Sequence, residues 1–220
     1  FEDSNAVFAN EGTYKNKLKV SKGIDDVIIV SASGHKTATG IVKELTKMHP
    51  KLLTCNEKLI DGNIDKKNIY LFPKNREPYT YNVSTYLGMI LAKTKENPQT
   101  ILNFIQSKID PIISKNFRRF DSFYLIIPAQ FDVMRGMALT KFDELFGPLI
   151  SARAFTPEQT KLAKTIVKSQ REFFIGFGVE KKLYGYPRNR LNIPLPKNAQ
   201  YAAVLSIVYY VIGKIQKQHK

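Results

Sequence analysis

The chain has 220 residues, 43% of them hydrophobic and 24% charged, which suits an ordinary globular protein with a buried core. Its net charge of +15 favours anionic partners: nucleic acid, a membrane surface or phosphorylated metabolites. The single Cys55 excludes an internal disulfide, and one Cys with three His argues against a structural metal site. The apolar stretch from Tyr201 to Ile212 is too short to span a bilayer and no signal-peptide pattern opens the sequence, so we expect a cytoplasmic protein without a membrane partner.

The basic residues are spread along the chain, and their two densest groups are residues 115–119 and 214–220. No zinc-finger, homeodomain or RNA-recognition motif accompanies them. A solvated basic surface explains the charge as well as a polyanionic partner does. Nucleic acid is therefore not the expected partner, and a basic nucleic-acid-binding protein is the alternative that rests on charge alone.

Short apolar or β-branched runs alternate with helical patterns through the first half of the chain. Strands are predicted at residues 27–31, 52–55 and 69–72. Helices are predicted at residues 39–48, 79–93 and 100–113, the last bent or restarted at Pro111. Strands separated by helices predict right-handed crossovers and a parallel sheet.

The second half repeats this alternation. Strands are predicted at residues 122–127 and 173–177, with an extended segment at 191–195. A helix is predicted at residues 134–146. A second helix is predicted to start at a capping box of Thr156 and Gln159, and a third to cover residues 199–216 after an Asn198 cap. An extended run followed by Pro-Lys-Asn precedes a long helix in both halves, at residues 70–75 and 193–198, which suggests two similar subdomains.

These patterns predict an α/β fold of two subdomains, each with a parallel sheet flanked by helices in three α/β/α layers. The first subdomain is expected at residues 1–113 and the second at residues 122–220. The basic, polar segment 114–121 is expected to link them.

The segment that follows the first predicted strand is the best candidate for a ligand site. Its sequence, Ser31-Ala-Ser-Gly-His-Lys-Thr-Ala-Thr39, combines hydroxyl groups, a glycine and a lysine ahead of a helix. Ligands of parallel sheets bind beyond the carboxyl ends of the strands. Phosphate takes free backbone N–H groups, hydroxyl donors and the positive end of a helix dipole. The alternative is a plain strand-to-helix loop in which Thr37 or Thr39 caps the helix.

A buried strand followed by Ser-Ala-Ser-Gly resembles the sugar isomerase (SIS) domain, whose phosphosugar loop is Ser-x-Ser-Gly-x-Thr. Ser31, Ser33 and Gly34 match this motif. Lys36 occupies the family's Thr position, and Thr37 follows one residue later. The resemblance implies that Ser31 and Ser33 bind the phosphate of a sugar. Lys36 then adds charge, and Thr37 stands in for the displaced Thr.

The resemblance extends to the helix predicted at residues 79–93. The family places further hydroxyl ligands of the sugar phosphate at the start of this helix. The resemblance therefore implies that Thr80, Ser84 and Thr85 contact the ligand. For Ser84 and Thr85, packing in the helix interior is the alternative.

The second half is similar to the second SIS subdomain in the isomerase part of glucosamine-6-phosphate synthases. In that family, a Lys-x-x-Glu on the helix after the first strand supplies a Glu that moves a proton between sugar carbons. Lys141 and Glu144 have this spacing, so the resemblance implies that Glu144 is a general base. The alternative is a solvated ion pair, because Lys and Glu three residues apart are common on helix surfaces.

The sequence departs from the family at two further places. Residues 156–168, where the family has a ring-opening His, contain no His. Residues 1–22 have no clear equivalent of the strand that opens a family subdomain. His35 is the candidate for a proton-transfer role, because the imidazole group in general changes charge near neutral pH. An ordinary polar loop residue is the alternative.

Three functions are open at this stage. The first is a hexose or hexosamine 6-phosphate isomerase, or an aminosugar-phosphate deaminase, with Glu144, Lys141 and His35 as catalytic residues and no metal or organic cofactor. The second is a SIS module that binds or senses a sugar phosphate without turnover. The third is the basic nucleic-acid-binding protein. Because family members commonly pair, the resemblance implies a homodimer.

Overall fold

The computed structural model describes residues 6–34, 36–60, 65–73, 81–113, 116–162, 169–179 and 184–219. The chain divides into two compact units, Phe1–Thr85 and Tyr86–Lys220. Each unit contains a parallel sheet accompanied by helices, so the predicted α/β class with two parallel sheets is confirmed. The division by packing lies earlier than the predicted linker at residues 114–121. Its cause is that Ile101, Ile105 and Ile109 belong to the core of the second unit.

The first unit is built on a parallel sheet in the order β1-β2-β3. Its elements are α1 (Tyr14–Val20), β1 (Ile28–Val30), α2 (Lys36–Glu44), β2 (Lys51–Thr54) and β3 (Ile69–Leu71), and α3 (Tyr81–Thr94) begins in it. Ala38 and Val42 of α2, Leu52 of β2 and Cys55 are buried apolar residues of this unit. The middle strand β2 pairs with both neighbours, so its carboxyl end lies beside the end of β1.

The second unit is built on a parallel sheet in the order β5-β4-β6-β7. Its elements are α4 (Pro98–Phe104) with a π-helical continuation (Ile105–Ile109), β4 (Ser122–Ile126), α5 (Met134–Phe146), β5 (Ser151–Phe155), α6 (Pro157–Leu162), β6 (Glu172–Phe177), β7 (Arg190–Ile193) and α7 (Tyr201–His219). The central strands β4 and β6 are nearly continuous apolar runs and are almost wholly buried. This is the pattern of a parallel sheet covered on both faces.

The second unit has a core on each face of its sheet. The larger core joins the sheet to α4, α5 and α7 and contains Phe123. On the other face, Tyr124 stacks between Phe155 and Phe174, with ring centroids 5.4 and 5.0 Å away. Successive side chains of a strand point to opposite faces, so Phe123 and Tyr124 serve different cores.

The predicted strands coincide with β1, β2, β3, β4 and β6, and the predicted extended segment coincides with β7. The sequence patterns missed β5 and α1. β5 is an edge strand with the sequence Ser-Ala-Arg-Ala-Phe, and α1 buries none of its side chains, so neither has the apolar pattern that marks an element. Lys74 and Asn75 of the first Pro-Lys-Asn run lie outside the described residues. None of the helices in the described ranges is long and apolar enough to cross a membrane.

The capping box predicted at α6 is confirmed. The N–H of Thr156 donates to Oε1 of Gln159 at 3.1 Å, and the N–H of Gln159 donates to Oγ1 of Thr156 at 3.3 Å. The helix predicted at residues 100–113 instead starts at Pro98, after an Asn97 cap, and ends in a 3₁₀ turn around Pro111.

A carboxylate from a distant part of the chain holds the start of α7. Glu96 accepts hydrogen bonds from the N–H groups of Gln200, Ala202 and Ala203 at 2.8, 2.8 and 3.2 Å. Asn198 is the predicted cap of this helix. In the described part of the chain, the N–H groups of the first turn donate to Glu96 instead. The N–H groups at a helix start lack intrahelical acceptors and lie at the positive end of its dipole, so a carboxylate there is stabilising.

We expect Glu96→Gln to lower the free energy of unfolding of the second unit by roughly 1–2 kcal/mol, because the first turn of α7 loses a charged acceptor. Urea unfolding followed by circular dichroism measures this change. Asp143→Asn is the matched control, since Asp143 is exposed on α5 and has no ion pair among the described residues. Equal stability of the Glu96→Gln and Asp143→Asn proteins would contradict the assigned role.

Candidate functional site

The loop after β1 makes a tight turn at a glycine. The N–H of Ser31 donates to the carbonyl of Leu53 at 2.9 Å and continues the β1–β2 ladder. The N–H of Gly34 then donates to the carbonyl of Ser31 at 3.2 Å and closes the turn. Gly34 is buried with φ of +58°, in the left-handed region that glycine adopts without a steric penalty. This explains why the motif places a glycine there.

The end of β2 holds the carbonyl groups of this loop. The N–H of Cys55 donates to the carbonyl of Ala32 at 2.9 Å, and the hydroxyl of Thr54 donates to the same carbonyl at 3.3 Å. The Nδ2 of Asn56 donates to the carbonyl of Ser33 at 2.9 Å. We call these three donors the β2 clamp. Its effect is to turn two successive loop carbonyls towards β2.

The clamp leaves backbone donors on the other side of the loop. In a trans peptide, C=O and N–H point in opposite directions. Holding the carbonyl of Ala32 against β2 therefore turns the N–H of Ser33 away from it. The first-turn N–H groups of α2, which begins at Lys36, lack acceptors within the helix. Together with the exposed Ser33, Lys36 and Thr37, they form a set of donors suited to a phosphate group.

The start of α2 differs from both predicted caps. The helix begins at Lys36, so Thr37 and Thr39 lie in its first turn rather than at its cap. The hydroxyl of Thr39 donates to the carbonyl of Lys36 at 2.9 Å, which occupies it within the helix. Thr37 is exposed and one residue past the helix start. Of the two threonines, Thr37 is thus the one whose hydroxyl is open to a ligand.

α5 carries the second group of predicted site residues. Lys141 is buried, and its Nζ forms an ion pair with the carboxylate of Glu144. The side chain of Glu144 is 44% exposed. The ion pair named above as the alternative is present, but it is not fully solvated because its lysine is buried. The carboxylate is open to solvent, while the ammonium group is enclosed by the helices of the second unit.

The ammonium group of Lys141 lies against one tyrosine, and a second tyrosine is hydrogen-bonded to the first. Its Nζ lies 5.6 Å from the ring centroid of Tyr209 on α7. The hydroxyl of Tyr86 on α3 donates to the hydroxyl of Tyr209 at 2.7 Å, and the latter donates to the carbonyl of Met137 at 3.5 Å. Burial raises the pKa of both phenols, and the negative charge of Glu144 adds to this effect. Both phenols thus stay neutral near pH 7 and hold Lys141 in place, which leaves Glu144 as the accessible partner.

The predicted site residues fall into two groups in separate units. Ser31, Ser33, Gly34, Lys36 and Thr37 share the loop and helix start of the first unit, and Lys141 and Glu144 pair in the second. Ser84 and Thr85 lie in the first half of α3. His35 and Thr80 lie outside the described residues.

Sequence reasoning missed the residues that support these groups. Asn56 follows a predicted strand directly, and a polar residue in that position is a recognisable signal of a ligand-side edge. Tyr86 and Tyr209 had no comparable signal, because aromatic residues at helical spacing indicate a core. Among the described residues, no three His, Cys, Asp or Glu side chains come together in a way that would hold a metal ion.

The fold is that of an α/β protein with two parallel sheets. No protein-family model matches the sequence, and no curated protein matches it. The structure is similar to that of glucosamine-6-phosphate deaminase from Thermotoga maritima, with a TM-score of 0.62. The two share 11% sequence identity over 95% of this chain and 74% of the deaminase chain. At this identity the similarity shows a shared fold.

We expect Asn56→Ala to loosen the loop after β1, because the carbonyl of Ser33 loses its donor. The free energy of unfolding of the first unit should fall by about 1 kcal/mol. Amide hydrogen exchange at Gly34 and Cys55 should become about fivefold faster, which corresponds to this loss of free energy. Asn68→Ala is the control, since the side chain of Asn68 makes no described hydrogen bond. Unchanged exchange at both amides in Asn56→Ala would rule out the clamp.

The buried phenols predict a loss of stability at alkaline pH. Their pKa values are higher in the folded chain than the value of about 10 expected after unfolding. Their contribution is therefore complete below about pH 10 and is lost as the pH rises further. Urea unfolding between about pH 8 and about pH 11 should show a steeper loss for the natural chain than for Tyr86→Phe/Tyr209→Phe. Parallel pH profiles for the two proteins would be evidence against buried, neutral phenols.

Proposed function

We propose that the chain binds a phosphorylated sugar of the hexose or hexosamine 6-phosphate class, with the phosphate on residues 31–37. The observation that carries this proposal is the β2 clamp. It turns the carbonyls of Ala32 and Ser33 towards β2, so the N–H of Ser33 points away from β2. The first turn of α2, the exposed Ser33 and Thr37 and the charge of Lys36 add further donors. An anion is the ligand that such a donor set favours.

Two similarities support a sugar phosphate as the anion. The loop sequence resembles the phosphosugar motif of SIS domains at Ser31, Ser33 and Gly34. A protein with a similar fold is named as a glucosamine-6-phosphate deaminase. A double-SIS arrangement is the corresponding proposal for the architecture. In it, Ser84 and Thr85 of α3 and Thr80, which lies outside the described residues, are further ligand residues. A cytoplasmic homodimer remains a prediction.

For catalysis we propose Glu144 as the general base. In an aldose–ketose isomerisation, a carboxylate takes a proton from the carbon next to the carbonyl and returns it to the neighbouring carbon. Glu144 is exposed enough to meet a ligand, and its partner Lys141 is fixed by Tyr209. His35 is the candidate for the second proton transfer. No metal or organic cofactor is required by this chemistry.

Binding without turnover is the second candidate function. The observation that favours it is the absence of His from residues 156–168, the region in which the SIS resemblance calls for a ring-opening His. A sensor or regulatory module needs the phosphate loop but not the base. Both functions therefore predict binding of a sugar phosphate. Only the enzyme function predicts turnover that depends on Glu144.

We expect glucosamine 6-phosphate or fructose 6-phosphate to raise the melting temperature of the chain, because a ligand selective for the folded state stabilises it. Glucosamine without phosphate should give no shift. Ser33→Ala should weaken binding by roughly tenfold through loss of one charge-assisted hydrogen bond. Ser21→Ala is the control, a serine of the same unit outside the loop. Equal shifts for the phosphorylated and unphosphorylated sugars would contradict the phosphate site.

Glu144→Gln separates the two candidate functions. If the chain is an isomerase or deaminase, this change should lower turnover of the bound sugar phosphate by at least roughly a hundredfold, since a general base commonly contributes that much. The melting-temperature shift with ligand should persist. Asp143→Asn, next to it on the same helix, is the control for a change of charge. A natural chain that binds the ligand and shows no turnover would identify a binding module.

A further inference from the structure

The two densest basic groups of the sequence meet on one surface of the second unit. The N–H of Phe117 donates to Oε1 of Gln218 at 2.9 Å, and the ring Nε2 of His219 lies 3.1 Å from the carbonyl of Phe117. These contacts place Arg118 and Arg119 beside the last turns of α7, although about a hundred positions separate them in the sequence. Residues 115 and 220, at the ends of the two groups, lie outside the described ranges.

This surface carries positive charge that no described carboxylate neutralises. We define the basic patch as Arg118, Arg119 and Lys217. All three residues are exposed, and none has an ion pair within the described part of the chain. The nearby carboxylate of Asp110 is already bound by Lys214 at 2.5 Å.

Lys217 lies on the same side of α7 as Lys214, which is three residues before it and pairs with Asp110. The hydrogen bond from Lys214 holds the pKa of Asp110 below its usual value, and the charge of Lys217 lowers it further. Gln218, the neighbour of Lys217, accepts from the N–H of Phe117, so Lys217 lies close to the two arginines.

The basic patch lies at the amino-terminal edge of the second sheet. α7 begins at the carboxyl edge, where the hydroxyl of Tyr201 donates to the carbonyl of Gln130 just after β4. It ends beside Phe117, just before β4 starts at Ser122. Metabolites bind parallel α/β sheets at the carboxyl edge. The patch therefore lies at the opposite edge of the second sheet from the one at which such sheets bind metabolites.

We propose that the basic patch binds the phosphate backbone of double-stranded nucleic acid. Two adjacent arginines offer planar, forked donors that match phosphate oxygens, and Lys217 adds a point charge. Phe117 and Phe120, the aromatic residues that flank the arginines, are buried. The patch thus presents charge without an exposed aromatic ring that would stack on an unpaired base or enter a lipid interface. Duplex phosphates need only such charge, and the contact is independent of sequence.

The test is fluorescence anisotropy with a labelled DNA duplex of arbitrary sequence at several salt concentrations. Three phosphate contacts predict a slope of log affinity against log salt of about −2.7. Arg118→Glu/Arg119→Glu/Lys217→Glu should weaken binding at least roughly tenfold and make the slope shallower by about three contacts. Lys93→Glu/Lys161→Glu/Lys197→Glu changes the net charge equally at exposed lysines elsewhere in the second unit, and should retain most of the affinity.

Each other outcome overturns the proposal. Equal losses in both triple variants would show that net charge alone attracts the duplex. No binding by the natural chain, or binding to anionic phospholipid vesicles and not to the duplex, would show that the patch has another role. Melting temperatures of both variants check folding. The phosphate loop belongs to the first unit and the basic patch to the second. The melting-temperature shift with glucosamine 6-phosphate and the duplex titration are separate measurements, so either proposal can fail without the other.

Discussion

Two carbonyl oxygens in the loop after β1, those of Ala32 and Ser33, are held by donors from the end of β2. This clamp depends on the parallel pairing of β1 with β2, which brings Cys55 and Asn56 beside the loop. It also depends on Gly34, whose positive φ lets the chain turn into α2. A peptide whose carbonyl is fixed has its N–H fixed as well. The geometry of the proposed phosphate site therefore follows from contacts that involve no ligand.

The second unit differs from the first in how the amino-terminal end of a helix is used. The N–H groups at the start of α7, which would otherwise attract an anion, already donate to the carboxylate of Glu96. The carboxylate of Glu144 is accessible, and its counter-charge Lys141 is buried against Tyr209. A carboxylate whose partner is immobilised keeps a defined position. This arrangement is compatible with proton transfer, and it is also compatible with a purely structural ion pair, which is why turnover decides the matter.

The sequence predicted those parts of the fold that burial dictates. β4 and β6 are apolar runs covered on both faces, and the Thr156 capping box is a local interaction between residues three apart. β5 escaped prediction because an edge strand with a central Arg153 has no burial pattern. The hydrogen-bond partners of Glu96 and Asn56 could not be predicted, because tertiary structure brings those partners to them. The same holds for the basic patch, whose halves are distant in sequence.

Amide NMR measures the backbone donors of the loop after β1 directly. Titration of the chain with glucosamine 6-phosphate should shift the amide signals of Ser33 and Lys36 in a saturable way, and glucosamine without phosphate should leave them unchanged. That result would place the phosphate on the donors that the β2 clamp exposes. Saturable shifts confined to other residues, or no shift at ligand concentrations that stabilise the chain, would contradict the account.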